Sequence, residues 1–243
     1  MPSGLFGAHI VQPHELTDVK MISDGPHRSP EAKGRIRRTT KSRTVTVYYD
    51  YKNLPIDFLV VDPERVRKYC TGCPAYGKKW SCPPDCDLIP DRYKRIFLFW
   101  LWIDAEDFGG VKNKEYIKVR AMNAILVSLS NQIGRVMTIM LVGHLLASGS
   151  CKVCKKCSYP EKCHLPDRFY QSLESTGIDL VRTMRKLNFD LCWYGKRKKE
   201  QNYTHGTVIG GVLTNLDEGS EHFDKLIKSF DIKPKEKSLD AWV

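Results

Sequence analysis

"RIFLFWLWI", residues 95–103, is the stretch on which the fold turns. Eight apolar residues follow Arg95 without a break, and Asp104 ends the run. A run this short and this uniformly apolar reads as a strand covered on both faces. Something must supply the two covers, and the flanking sequence offers helices. Residues 113–133 carry Ile117, Ala121, Ile125, Leu129 and Ile133 four apart, which is one helix face. Residues 177–188 give a second helix on Ile178, Val181, Met184 and Leu187, and Phe223, Leu226, Ile227 and Phe230 give a last one. "DPERVRKY" (62–69) starts a short helix, with Asp62 as its cap and Pro63 in its first turn, and delivers the chain into Cys70.

Further strands are expected at "TVTVYYDY" (44–51), where Val45, Val47 and Tyr49 alternate, at "VMTIMLVGHLL" (136–146) and at "TVIGGVLTN" (207–215). Strands and helices interleave, so the expected class is α/β, with α+β as its variant: a mixed sheet flanked by helices, with cysteine-rich metal-binding loops at element ends. Residues 1–43 read as a basic N-terminal arm, extended or packed late onto the rest, and 44–243 as one domain carrying cysteine clusters at 70–86 and 151–163.

A chain of 243 residues that is 42% hydrophobic can bury a sizeable core without disulfides. No charged region followed by an apolar run marks a secretory leader. The longest apolar runs fall short of the roughly 18–20 residues of a membrane span. A cytoplasmic location follows, where thiols stay reduced and clustered cysteines point to metal. The nine cysteines divide into eight candidate ligands and Cys192, which reads as core packing.

"CKVCKKCSYPEKC" sets cysteines at 151, 154, 157 and 163. Structural zinc usually draws two pairs of thiolates into one tetrahedron. Thiolates at every third residue suit the corners of a cubane, with a later cysteine taking the fourth iron. In "CTGCPAYGKKWSCPPDC" (70–86), Cys70 and Cys73 form a pair and Cys82 and Cys86 follow; zinc and a cluster both accept that spacing. Pro74, Pro83 and Pro84 stiffen the loop, and Tyr76 and Trp80 are placed to roof a metal site against water. Cys70, Cys73, Cys82, Cys86, Cys151, Cys154, Cys157 and Cys163 are therefore the candidate ligands of one or two [4Fe-4S] clusters, with zinc as the alternative.

"CTGCPAYGKKWSCPP", followed downstream by "ASGSCKVCKKCSYPEKCHLPDRFYQSLESTGIDLVRTMRKLNF", resembles the cysteine-rich "predicted metal-binding protein" family, a domain of unknown function found in anaerobic bacteria and archaea. The resemblance covers roughly residues 57–215. It implies metal at Cys70, Cys73 and Cys82 and at Cys151, Cys154, Cys157 and Cys163, and it implies no reaction. Cys86 stands outside the pattern. A first cluster with three cysteine ligands would leave one iron open to an anionic substrate, which is the enzyme alternative.

The formal net charge is +11, which draws anionic partners. Lys78, Lys79, Lys152, Lys155, Lys156 and Lys162 crowd the cysteine loops, where ammonium groups would offset cluster charge and steer an acidic redox partner or a larger complex. "KGRIRRTTKSR" (33–43) and "KRKK" (196–199) suit phosphates, so a zinc-stapled module for nucleic acid or protein is the other alternative. His164 adjoins Cys163, His144 reads as a core histidine, and His205 as an exposed loop residue. The adjacent glycines of "IGGVLTN" fit a strand bend as well as a phosphate site. No catalytic residue is assigned. Electron transfer through iron–sulfur clusters is the expected role.

Overall fold

The computed structural model describes residues 31–39, 44–85, 89, 91–108, 115–191 and 205–231. Within these, six strands form one mixed sheet in the order β1-β2-β3-β6-β4-β5. They are β1 (Gly34–Thr39), β2 (Thr44–Pro55), β3 (Arg95–Asp104), β4 (His144–Ala147), β5 (Gln171–Ser172) and β6 (His205–Thr214). Four α-helices accompany them: α1 (Pro63–Cys70), α2 (Glu115–Met140), α3 (Leu180–Lys186) and α4 (Ser220–Ser229). The class is α+β, with a mixed sheet between helices.

The apolar run is β3, and it lies between β2 and β6, antiparallel to both. Its side chains alternate between two cores. Phe97, Phe99, Leu101 and Ile103 pack with the buried stripe of α2 (Met122, Leu126, Leu129, Ile133 and Met137) and with Phe223 and Ile227 of α4. Ile96, Leu98, Trp100 and Trp102 pack with Leu180 and Met184 of α3, Ile178 and Phe189. Both faces are dry, which is why no polar residue interrupts the run. Tyr49, Tyr51, Phe97 and Phe99 all set their rings within 6 Å of Phe223, which fastens α4 to the sheet.

The strand expected at 136–146 is corrected. The four-residue spacing of Leu129, Ile133 and Met137 carries α2 on to Met140, and only His144–Ala147 is strand. The helix closes by a Schellman turn: Val142 N–H donates to Ile139 O at 3.3 Å and Gly143 N–H to Thr138 O at 2.9 Å. Val142 holds the left-handed position (φ 46°) where glycine usually sits.

Part of the basic arm, Gly34–Thr39, is strand β1, paired antiparallel with β2. Residues 1–30 and 40–43, Cys86, Cys192 and residues 195–204 of the basic loop lie outside the described residues. His205, expected in an exposed loop, is instead the first residue of β6, 3% exposed and edge-on to Phe189. The paired glycines of β6 are there for packing. A Cβ at Gly210 would meet Phe99 Cζ at 2.5 Å, and one at Gly211 would meet Ile96 Cδ1 at 2.8 Å. No helix among the described residues is long and apolar enough to cross a membrane.

Candidate metal centre

The two cysteine blocks occupy irregular segments at one region of the sheet. Asp62 accepts from Arg65 N–H at 3.1 Å and caps α1, while Asp179 accepts from Arg182 N–H at 3.0 Å and caps α3. Arg65 pairs with Asp179 at 3.1 Å and Arg182 with Asp62 at 3.0 Å, so each helix start is held by the other's cap. Backbone bonds from Asp62 N–H to Gly177 O and from Asp179 N–H to Val60 O, both 2.8 Å, complete the clamp. The "SLESTGID" stretch (172–179) thereby fixes the helix that ends on Cys70.

From Cys70 the chain runs through successive tight turns. Cys73 N–H donates to Cys70 O at 2.8 Å, Tyr76 N–H to Cys73 O at 3.2 Å, and Cys82 N–H to Lys79 O at 2.9 Å. Gly77 N–H returns to Cys82 O at 2.9 Å, closing the loop. Cys73 is exposed, whereas Cys70 and Cys82 are half-buried. The Cys82 sulfur lies 3.6 Å from Ser81 Oγ and 3.9 Å from Ser172 Oγ. Burial pushes the Cys82 thiol up; the two serine contacts oppose the rise, and the Cys73 thiol and Glu174 add to it.

The second block is the crossover from β4 to its parallel neighbour β5. Its four cysteines, Cys151, Cys154, Cys157 and Cys163, line one recess together with Trp80, Val153, Leu165 and Phe169. Cys151 is pinned from three sides. Its N–H donates to Ser81 Oγ at 2.8 Å, its carbonyl accepts from Lys79 Nζ at 3.0 Å, and the next N–H, of Lys152, donates to Tyr170 Oη at 2.9 Å. Trp80, expected as a roof over its own block, serves the other one. Its indole N–H donates to Glu161 O at 2.7 Å and its ring stands edge-on to Tyr159, 5.2 Å between centroids. Tyr76 stays with the first block, donating to Pro84 O at 3.1 Å.

The four cysteines of the second block share one recess, and Lys79, Trp80 and Ser81 of the first block reach across to that block. Among the described residues no three Cys, His, Asp or Glu side chains converge closely enough to hold a single metal ion. Lys78, Lys152, Lys155, Lys156 and Lys162 are exposed around the cysteine loops, and Lys79 is half-buried through its bond to Cys151. His164 is exposed; His144 is half-buried on β4. Sequence reading missed Ser81 and Ser172, the two hydroxyls nearest Cys82. Ser172 stands in the motif that carried the resemblance, while Ser81 carried no signal beyond adjacency to a cysteine.

Comparison with curated proteins and with solved structures finds no match for this chain. A family model, described as predicted metal-binding protein (DUF2284), matches residues 52–213, a span that holds both cysteine blocks and the clamp that joins α1 to α3. The chain belongs to that family.

Proposed function

We propose that the protein is a cytoplasmic iron–sulfur protein, with one [4Fe-4S] cluster at Cys151, Cys154, Cys157 and Cys163 and a second at the first block, and that it relays electrons to an acidic partner. The observation that carries the reading is the gathering of four cysteines on the wall of one recess. A tetrahedral zinc ion bound at about 2.3 Å needs its thiolates within about 4 Å of one another. Thiolates at every third residue around one recess suit the corners of a larger inorganic core. Trp80, Val153, Leu165 and Phe169 supply an apolar lining that limits water at the thiolates.

When bound, such a cluster takes up and returns single electrons. The protein's part is to hold, shield and present it. Lys79 and Ser81 fix the backbone of Cys151 at the recess wall. Exposed Lys152, Lys155, Lys156 and Lys162 place positive charge around the same loop, which favours encounter with an acidic redox protein or complex. The first block adds Cys70, Cys73 and Cys82, with Cys86 as the candidate fourth ligand.

Oxygen-free purification with iron, zinc and acid-labile sulfide analysis is the test. The expected protein is brown, with about eight irons for two full cubanes, and Cys154→Ser removes about half of that iron. A colourless protein that contains zinc and no sulfide would overturn the proposal in favour of a zinc-stapled binding module. Iron unchanged by Cys154→Ser would remove the second block from the ligand set.

A further inference from the structure

Ser81 is fully buried and touches both cysteine blocks at once. Its Oγ accepts the Cys151 N–H at 2.8 Å and lies 3.6 Å from the Cys82 sulfur. Its carbonyl accepts from Ser172 N–H at 3.3 Å, and the Ser172 hydroxyl also approaches Cys82, at 3.9 Å. A hydroxyl has one proton and two lone pairs. A lone pair is committed to Cys151. A metal-bound sulfur at Cys82 can only accept, so it would draw the Ser81 proton to itself. A hydroxyl that donates to a charged acceptor becomes a better acceptor in turn, so the bond to Cys151 strengthens. With Ser81 sealed from water, no solvent molecule competes for either contact.

We infer that the Ser81 hydroxyl couples the two cysteine blocks, so that metal held by Cys70, Cys73 and Cys82 slows the release of metal held by Cys151, Cys154, Cys157 and Cys163. The inference rests on the proposal that both blocks bind metal, but not on which metal. Ser81 is a positioning residue: it reaches the second site only through the backbone of Cys151.

The test loads the full chain without oxygen, challenges it with a chelator, and traps each cysteine by alkylation as its metal leaves. Mass spectrometry then reports the two blocks separately. Disabling the first block with Cys73→Ser and Cys82→Ser is expected to speed release from the second about 10-fold, the lower end for loss of an outer-shell partner. Ser81→Ala should give the same acceleration with the first-block cysteines intact. Ser172→Ala, which loses the contact to Cys82 and the bond from Ser175 N–H but touches no cysteine of the second block through its hydroxyl, should speed release from the first block and leave the second unchanged. Equal second-block release in the wild type and the double-serine variant overturns the inference, and this comparison holds even if Ser81→Ala fails to fold. Metal bound at only one block overturns it as well. If the chain loads with zinc, the iron–sulfur reading falls, while the same comparison on the zinc-loaded protein still decides the coupling.

Discussion

Gly210 of β6 lies opposite Phe99 of β3, and it marks how little room the sheet leaves above its centre. A Cβ there would stand 2.5 Å from Phe99 Cζ and 2.9 Å from Ser130 Oγ. An aromatic ring packed against Phe223 has little freedom to yield. Gly210→Ala is therefore expected to destabilise the protein by about 1–3 kcal/mol, the usual cost of overpacking, read as a lower urea midpoint at unchanged slope. An unchanged midpoint would mean that the ring moves freely. At this scale the cysteines were legible because their spacing is local. Ser81 was not, because its importance arises only when the fold brings residue 151 to it. The two adjacent glycines were visible, but their cause sits on another strand.

Among the elements, α2 and β4 show where pattern reading fails. Residues 136–147 are apolar throughout apart from Thr138, Gly143 and His144, and short apolar runs do not distinguish a helix end from a strand. The usual stop signal, a glycine in the left-handed position, is displaced by one: Val142 takes that position and Gly143 follows it. Strand β3 was easier, since its length and uniformity leave few alternatives. On β4, His144 is held below its ordinary range by burial, with the Arg92 guanidinium adding to the effect. The neutral imidazole is thus the form that suits the folded state. Its contribution to stability is full above the unfolded value of about pH 6.5 and is lost as the pH falls through the lower folded value. The thermal midpoint should drop between neutral and mildly acid pH, and His144→Asn should flatten that drop. A wild-type and variant pair with parallel profiles would assign the acid sensitivity elsewhere.

The whole molecule separates frame from chemistry. Its two cores are built from β1, β2, β3, β4, β6, α2, α3 and α4, and the second cysteine block reaches them only through Cys151 and Val153, packed against the margin of one. Zinc fingers unfold without metal because they lack such a core. This chain has one on each face of its sheet. Chelation, or Cys154→Ser combined with Cys157→Ser, should abolish metal binding at the second block yet keep the far-UV circular dichroism and a single cooperative unfolding transition. Loss of that transition would show the metal to be structural. Fold class was readable from β3 and the helical stripes around it. Which cysteine loop would face which aromatic was not, since Trp80 lies within one block in sequence and against the other in space.

Parallel neighbours are ordinarily joined by a helix that covers the sheet, yet between β4 and β5 residues 148–170 make the crossing as a strap studded with thiols. Drift within a covering helix is policed by folding itself. Drift within this strap is policed by what the strap carries. A descendant that shed its thiols would inherit an intact scaffold, open to recruitment for other work, whereas a descendant that lost Phe223 or Trp100 would forfeit scaffold and cargo together.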